Sequence, residues 1–581
     1  MAHNSRWKSG AALAALVLLA GHADRASHAQ PTRPAAEQPQ PAPQPMRLGA
    51  VSNFSQGLTT GILRAAADIQ LRHYRDGIRW QQAETEQGVF RFGLDRVNYP
   101  ADLAQAGAEL VMVINWGNPL YDAGMTPHSP EALAAMGRFV AAMVARYPAI
   151  TTVEVGNEFN GANFVNGPVR EAGLAERGRY HLAMVRAVAD AVRAVRPGIR
   201  ILGGSTHSMA AGYLWPVLDA ADPGLIDALA IHPYTTPIDQ LAAQFAVLRR
   251  HPGAPAMPVE ITEWGTTDRA DAADHLIRGY AALASLGVSS LYWFPLNDRG
   301  DGFVPLIERD RSITNAGRAF RYAQQRLVQR TARDVSPDPF TRAYLFGEDT
   351  LVIWGEPRPV TLRTAGLVAR NAEGEALSGP LALSPSRALV IEATGPLALN
   401  RDVVLGCSAL VADTFYQFTY DGTGQPNAAA GFRSHAEIGG ARLPWLTEPG
   451  QQRAGVPWAP YLSVAPARNM RLDAETMRIE GNASGAARVI HEYRSPTPAA
   501  LQLEVRFDQS GANAGSLAVL VENGSQTIPI GQNQARVSWE GPVTLAADAP
   551  LRVSVGPGGG RAPRALSYRL RLHDPARCSP G

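Results

Sequence analysis

Two glutamates stand at the ends of strand-like runs. Glu158 closes the run within VEVGNEFNG, and Glu263 closes the run within PVEITEWG. Each follows alternating β-branched residues. Each precedes an aromatic, Phe159 or Trp264, and then turn-forming Asn160 or Gly265. Parallel-barrel enzymes carry their reacting groups at the C-terminal ends of strands. Two carboxylates at two such ends are the minimum for cleaving a glycosidic bond, one as a protonated acid and the other as an ionised nucleophile or base. Asn157, beside Glu158, can hydrogen-bond a sugar hydroxyl. A nucleophilic carboxylate needs a cation or hydroxyl against it. Arg79, near the end of a second strand-like run, and Tyr234, in IHPYTTP after a sixth, are the candidates. His232 could position Tyr234 or meet substrate, although a lone strand-end histidine more often fills a structural role. Glu154 and Glu260 share the two strands but lie deeper, where an ion-pair role is expected.

Aromatic residues also gather at strand ends: Trp80, Trp116, Trp264, Tyr292 and Trp293. The apolar faces of sugars pack on such rings, and core packing accounts for some of them. Strand alternation puts Tyr292 and Trp293 on opposite sides, one toward the helices and one toward the barrel.

The elements that must position these groups follow a regular alternation from Met46. Strand-like runs occur at 48–53, 77–80, 110–116, 152–158, 200–205, 228–232, 259–263 and 289–295. Helical periodicity lies between them, most clearly at 58–72, 130–146, 176–195 and 271–286. Ser129-Pro130 is an N-cap with proline in the first turn. Eight strands alternating with helices fit a (β/α)8 barrel over 46–335. An open doubly wound sheet would show a glycine-rich first turn, and none follows Asn53. Short strands over 336–398 indicate a small β-sandwich. Period-two runs over 399–581 indicate a C-terminal jelly-roll-like sandwich. Its Trp445, Trp458 and Tyr461 suit either carbohydrate binding or packing against the barrel.

The 581-residue chain is long enough for several domains, and its formal net charge is +2. No basic block interleaved with aromatics points to nucleic acid. Residues 1–29 read as a signal peptide, with Arg6 and Lys8 before an apolar run and Ser27-His28-Ala29 as the cleavage site. The Pro/Gln/Ala tract that follows reads as a linker over 30–45. An exported protein, periplasmic or secreted and without stable membrane insertion after cleavage, is expected. Lys8 is the sole lysine, which removes Schiff-base and phosphate-loop chemistry from the mature chain. Cys407 and Cys578 are the two cysteines, and in an exported protein they are expected to pair across the C-terminal domain. No GxSxG, HExxH or GxxxxGK[ST] motif occurs, and the histidines form no metal-type cluster. Neither metal nor cofactor is called for, and nothing specifies an oligomeric state.

GNEFN after a β-branched strand, and TEWG some way downstream, resemble the fourth- and seventh-strand signatures of clan A glycoside hydrolases. LYWFPLND resembles the eighth-strand segment of that clan. RDGIRWQQAETEQGVFRF, with a small sandwich after the barrel, resembles family 39 and related cellulase-like enzymes. The resemblance covers roughly residues 46–397. It implies a retaining mechanism on a poly- or oligosaccharide, with Glu158 as acid/base and Glu263 as nucleophile. It also implies Asn157 at the sugar 2-position, Tyr234 and Arg79 on the nucleophile, and Trp293 under the reacting sugar; Trp116, His232 and Trp264 are the further substrate-binding candidates from their places at strand ends. A transglycosylase would use the same site. A glycan-binding or scaffold protein on an inactive barrel is the alternative of a different class.

Overall fold

The computed structural model describes residues 44–421, 431–464, 470–479, 487–509, 515–558 and 565–578. The expected signal peptide and all but the last two residues of the expected linker lie outside them. Among the described residues no helix is long and apolar enough to cross a membrane.

Eight parallel strands close into a barrel: β1 Arg47–Val51, β2 His73–Gly77, β3 Glu109–Ile114, β4 Ile150–Val155, β5 Arg200–His207, β6 Ala228–His232, β7 Val259–Trp264 and β8 Ser290–Trp293. A helix follows each strand in turn: α1 Leu63–Asp68, α2 Asp95–Gln105, α3 Pro130–Arg146, α4 Leu174–Val195, α5 Ala211–Ala220, α6 Leu241–Leu248, α7 Ala272–Ser285 and α8 Asn315–Arg326. The strands are apolar on both faces because both faces are covered. In β3, Leu110, Met112 and Ile114 join the large core under the helices, while Val111 joins an inner cluster with Leu202, Ala228, Ala230 and Tyr292. Helix starts carry their caps. Ser129 Oγ accepts from the Ala132 amide, and Thr314 Oγ1 accepts from that of Gly317.

The second strand lies four residues before its expected position. GIRW is the more apolar run, yet HYRDG forms β2. The barrel interior explains this. It holds a hydrogen-bonded set of charges, so a strand with Arg75 pointing inward is satisfied there, while Asp76, on the alternate face, is satisfied by Ser52, Ser55 and the Phe54 amide just after β1. A hydropathy pattern cannot register that.

After the barrel come two small sheets. One orders Ala332–Asp334, Thr341–Phe346, Thr350–Gly355, Leu389–Glu392 and Val368–Arg370. The other orders Leu381–Ala382, Pro359–Leu362 and Val403–Leu405, so this module runs on to Leu405. In the strand Thr350–Gly355, Leu351 and Ile353 enter the module's own core, while Val352 and Trp354 enter the barrel's. Alternation thus fastens one sheet face to the barrel. The C-terminal domain is an antiparallel sandwich of an eight-stranded and a six-stranded sheet around a shared apolar core. Its strands Leu410–Asp413 and Leu566–His573 pair, and Cys407 is disulfide-bonded to Cys578 beside them.

Candidate active site

Strand β4 ends at Val155 and the chain turns through Gly156 and Asn157 to Glu158. Glu158 has φ +43°, a left-handed conformation that costs a glutamate about 1–3 kcal/mol. Neighbouring contacts hold it there. The Phe159 amide donates to Ser205 O at 2.8 Å, the Asn157 amide donates to Asn115 Oδ1 at 3.0 Å, and the Phe159 ring packs edge-on against buried His181. The strain aims the Glu158 carboxylate into the barrel mouth.

Glu263, near the end of β7, meets it from across the mouth. Arg75 Nη1 donates to Glu263 Oε2 at 2.8 Å, and Tyr234 Oη donates to Oε1 at 3.0 Å. The rest of the Arg75 guanidinium grips Glu154, with Nε to Oε2 at 2.7 Å and Nη2 to Oε1 at 3.0 Å. Its Nη2 also donates to Asn157 Oδ1 at 2.8 Å. One buried guanidinium therefore fixes Glu154, Asn157 and Glu263 together. Burial lowers the Arg75 pKa, but Glu154 and then Glu263 more than offset this and the net shift is upward. Burial first, and then the Glu263 charge, push the Tyr234 hydroxyl well above its ordinary value, so it stays a donor.

His232 ends β6 and bridges the two sides. Its Nδ1 lies 3.2 Å from Glu158 Oε1 and its Nε2 lies 3.0 Å from Thr262 Oγ1. Thr262 Oγ1 spends its own proton on Glu154 Oε1 at 3.2 Å, so it accepts from His232 Nε2–H. The two Nη2 protons of Arg75 are taken by Glu154 and Asn157, and its 3.4 Å approach to His232 Nε2 is proximity alone. Burial disfavours the imidazolium, but Glu263, Glu154 and Glu158 outweigh it and raise the His232 pKa to about 9. For Glu158, burial pushes the pKa up, while the hydrogen bond and charge of His232 reverse the shift to a net lowering.

A carboxylate oxygen of Glu158, one of Glu263 and a ring nitrogen of His232 all lie within 4.8 Å of one another. The two carboxylates remain reachable, with side chains 12% and 16% exposed. Two hollows meet here and share Glu263, Phe164 and Phe294 as walls. One, of about 350 Å³, is lined by Ser52, Asp76, Trp116 and Asn157. The other, of about 510 Å³, is lined by Glu158, His207, Tyr234 and Phe303. Either volume suits a sugar ring. A site of this shape can hold one ring on each side of a bond, with Glu263, held by a cation and a hydroxyl, at the junction and Glu158 on the wall of the larger hollow.

The described part of the chain is similar in fold to known glycoside hydrolase structures. One is a family 39 glycoside hydrolase from Bacteroides cellulosilyticus, at 17% identity over 60% of this chain and 81% of that one, with a TM-score of 0.50. A family 39 β-xylosidase from Caulobacter crescentus matches at 17% identity over 61% and 97%, with a TM-score of 0.45. A family 30 endoxylanase from Clostridium papyrosolvens matches at 13% over 61% and 97%, with a TM-score of 0.47. What this chain shares with the first of these structures is the fold, a closed eight-stranded parallel barrel with helices around it. No family model and no curated protein sequence matches the chain.

The residues singled out from sequence divide into three groups. Glu158, Glu263, Asn157, His232 and Tyr234 come together at the mouth, and Trp116 is 38% exposed on the wall of the smaller hollow. Arg79 does not reach Glu263. Its guanidinium lies 5.5 Å from the centre of the Trp116 ring, and Arg75 takes the expected contact because β2 ends earlier than expected. Trp293 is fully buried in the layer under the helices, its indole N–H donating to Val304 O, and Phe294 lines the cleft instead. Trp264 borders the larger hollow, but its ring faces outward onto α7, where a Cβ on Gly279 would come within 2.2 Å of it. Glu154 and Glu260 are buried ion-pair residues. Glu260 accepts from Ser290 Oγ and is paired with Arg200 and Arg47. Residues not anticipated are Arg75, Asp76, Phe164 and Phe294. Asp76 accepts from Ser52, Ser55 and the amides of Phe54 and Gly77, which ties the ends of β1 and β2 together. The alternation of Arg75 with apolar Tyr74 on HYRDG was the available signal.

Proposed function

We propose that the protein is a retaining glycoside hydrolase acting on a β-linked poly- or oligosaccharide. The observation that carries this reading is the pair Glu158 and Glu263, with oxygens within 4.8 Å of each other across a sugar-sized cleft. Retaining enzymes place their carboxyl groups about 5–5.5 Å apart, and inverting ones leave about 6.5–9.5 Å for a water.

Charge assigns the roles. Among the five central groups, Arg75 and His232 oppose Glu154, Glu158 and Glu263, so one proton on a carboxylate makes the set neutral. Glu154 and Glu263 hold the guanidinium, and Glu158 faces only the imidazolium. Glu158 is therefore the carboxylate to protonate, and Glu263 is the ionised nucleophile. Substrate entering the cleft strips the remaining water from Glu158 and raises its affinity for the proton.

Glu263 attacks the anomeric carbon as Glu158 protonates the departing oxygen. The C–O bond to the leaving sugar breaks and a glycosyl ester forms on Glu263. Glu158, now ionised, takes a proton from water, whose oxygen displaces Glu263 with a second inversion. The leaving sugar lies on the acid's side, in the hollow lined by His207, Tyr234 and Phe303. The retained sugar lies in the other, where Asn157, its Oδ1 held by Arg75, presents its amide N–H groups to the ring. The Cys407–Cys578 disulfide supports export to an oxidising compartment.

The test is intact-mass spectrometry after incubation with 2-deoxy-2-fluoro glycosyl fluorides of several sugars. A stable adduct on Glu263 is expected. Inversion of configuration in the product, or an adduct on another residue, would refute the assignment.

A further inference from the structure

The exposed tryptophans among the described residues are Trp116 and Trp458. Trp116 belongs to the barrel and lines the retained-sugar hollow. Trp458 belongs to the C-terminal sandwich, on the loop between strands Leu446–Glu448 and Tyr461–Ser463. That loop reaches the barrel mouth. Gln451 Oε1 accepts from Asn160 Nδ2 at 2.6 Å, two residues after Glu158. Asn160 also exchanges hydrogen bonds with the His207 backbone, Nδ2 to O at 3.0 Å and N–H to Oδ1 at 2.9 Å. The Gly212 amide donates to Pro449 O at 2.8 Å, and a Cβ on Gly212 would sit 2.5 Å from Gly450 O. Backbone thus meets backbone where a side chain has no room, and the loop's position is fixed.

The Trp458 ring stands 5.0 Å from that of His207, at 62°. His207 lines the leaving-sugar hollow and lies 6.3 Å from Tyr234, the donor to Glu263. A tryptophan whose task is packing is buried, as Trp445 is in the sandwich's own core. Trp458 keeps 37% of its surface exposed, while Gln451 and the glycine contact do the docking. An exposed, positionally fixed indole at the rim of a sugar cleft offers an apolar face to a pyranose ring.

We infer that Trp458 is a stacking platform for a leaving-group sugar, so that the C-terminal domain completes the substrate cleft and selects substrates with a saccharide, rather than a small group, on the acid's side. This rests on the retaining reading above.

The experiment uses the full chain and the trapped glycosyl-enzyme. Wild type, Trp458→Ala and Trp458→Phe are labelled with 2-deoxy-2-fluoro-β-D-glucosyl, xylosyl and mannosyl fluorides. Excess reagent is removed, and recovery of free enzyme is followed with increasing cellobiose, xylobiose or mannobiose. In recovery an acceptor hydroxyl oxygen bonds to the anomeric carbon, Glu263 departs as carboxylate, and Glu158 takes the hydroxyl proton. Recovery of wild type is expected to accelerate and saturate with the disaccharide. Trp458→Ala is expected to need on the order of tenfold more disaccharide for half-saturation, and Trp458→Phe to regain most of the loss. Equal half-saturation in all three proteins overturns the inference. A labelled wild type that no disaccharide accelerates also overturns it and leaves the catalytic reading standing. A wild type that no fluoride labels overturns that reading for these sugars, and this inference with it. Thermal unfolding of the alanine variant at the wild-type temperature shows that the fold is intact.

Discussion

Replacing His232 with glutamine tests the electrostatics of the site most directly. The imidazolium lies 3.2 Å from Glu158 Oε1 and opposes the effect of burial, which alone would raise the Glu158 pKa. Two unit charges ~4 Å apart interact by about 4 kcal/mol at an effective dielectric constant of ~20. At about 1.36 kcal/mol per pKa unit this sets a ceiling of roughly three units. Arg75 remains within the set and compensates in part, so His232→Gln should raise the Glu158 pKa by about one to two units. The assay is kcat/KM against pH for an aryl glycoside. The alkaline limb, where the acid loses its proton, is expected to move upward by that amount. Turnover of substrates with poor leaving groups should fall, since Glu158 becomes the weaker acid. An alkaline limb that stays put or moves downward would refute the charge assignment, because it would show that His232 is neutral in the native protein.

Other outcomes follow from the same geometry. Glu158→Ala should lose on the order of 10²–10⁴-fold with poor leaving groups, and added azide should restore turnover of activated aryl glycosides with a β-glycosyl azide as product, detectable by NMR. Arg75→Met should lower the unfolding free energy measured in denaturant by about 3–5 kcal/mol, because it strips the cation from buried Glu154. His232 has its pKa raised from an ordinary 6.5 to about 9, so its contribution to stability is complete below about 6.5 and is lost as pH rises through about 9. Wild type should therefore lose denaturant resistance across that window more steeply than His232→Gln. Cys407→Ser opens a link between residues 171 apart in sequence and should cost about 2–4 kcal/mol in the stability of the C-terminal sandwich, read by its unfolding midpoint.

The barrel was legible in the sequence because its strands are short apolar runs separated by amphipathic helices, and Glu158 and Glu263 follow two of the clearest. Tyr234 and His232 were legible for the same reason. Arg75 was not, because it is a charged residue on the inward face of β2, and its partners Glu154, Asn157 and Glu263 lie 79 to 188 residues away. Trp293 was misassigned to the cleft although alternation had set one of Tyr292 and Trp293 against the helices. Tyr292 joins the inner cluster, so Trp293 takes the outer side and Phe294 comes to the mouth. Trp458 stood out only as an aromatic in a β domain, since nothing local to it encodes contact with His207.

The bond between Asn160 and Gln451 joins residues 291 apart. Chains are made from the N-terminus at about 5–20 residues per second, and domains tend to fold as units. About 125 residues separate the end of α8 at Arg326 from Gln451, so the barrel's catalytic pair exists for roughly 6–25 seconds of synthesis before the loop that docks beside it has been made. Through that interval the Glu158 turn lacks its Gln451 partner, and Gly212 and His207 face open solvent. Full substrate selectivity is thus acquired in a late assembly step, and a chain that stops short of the sandwich would release a barrel holding both glutamates and an unfinished rim.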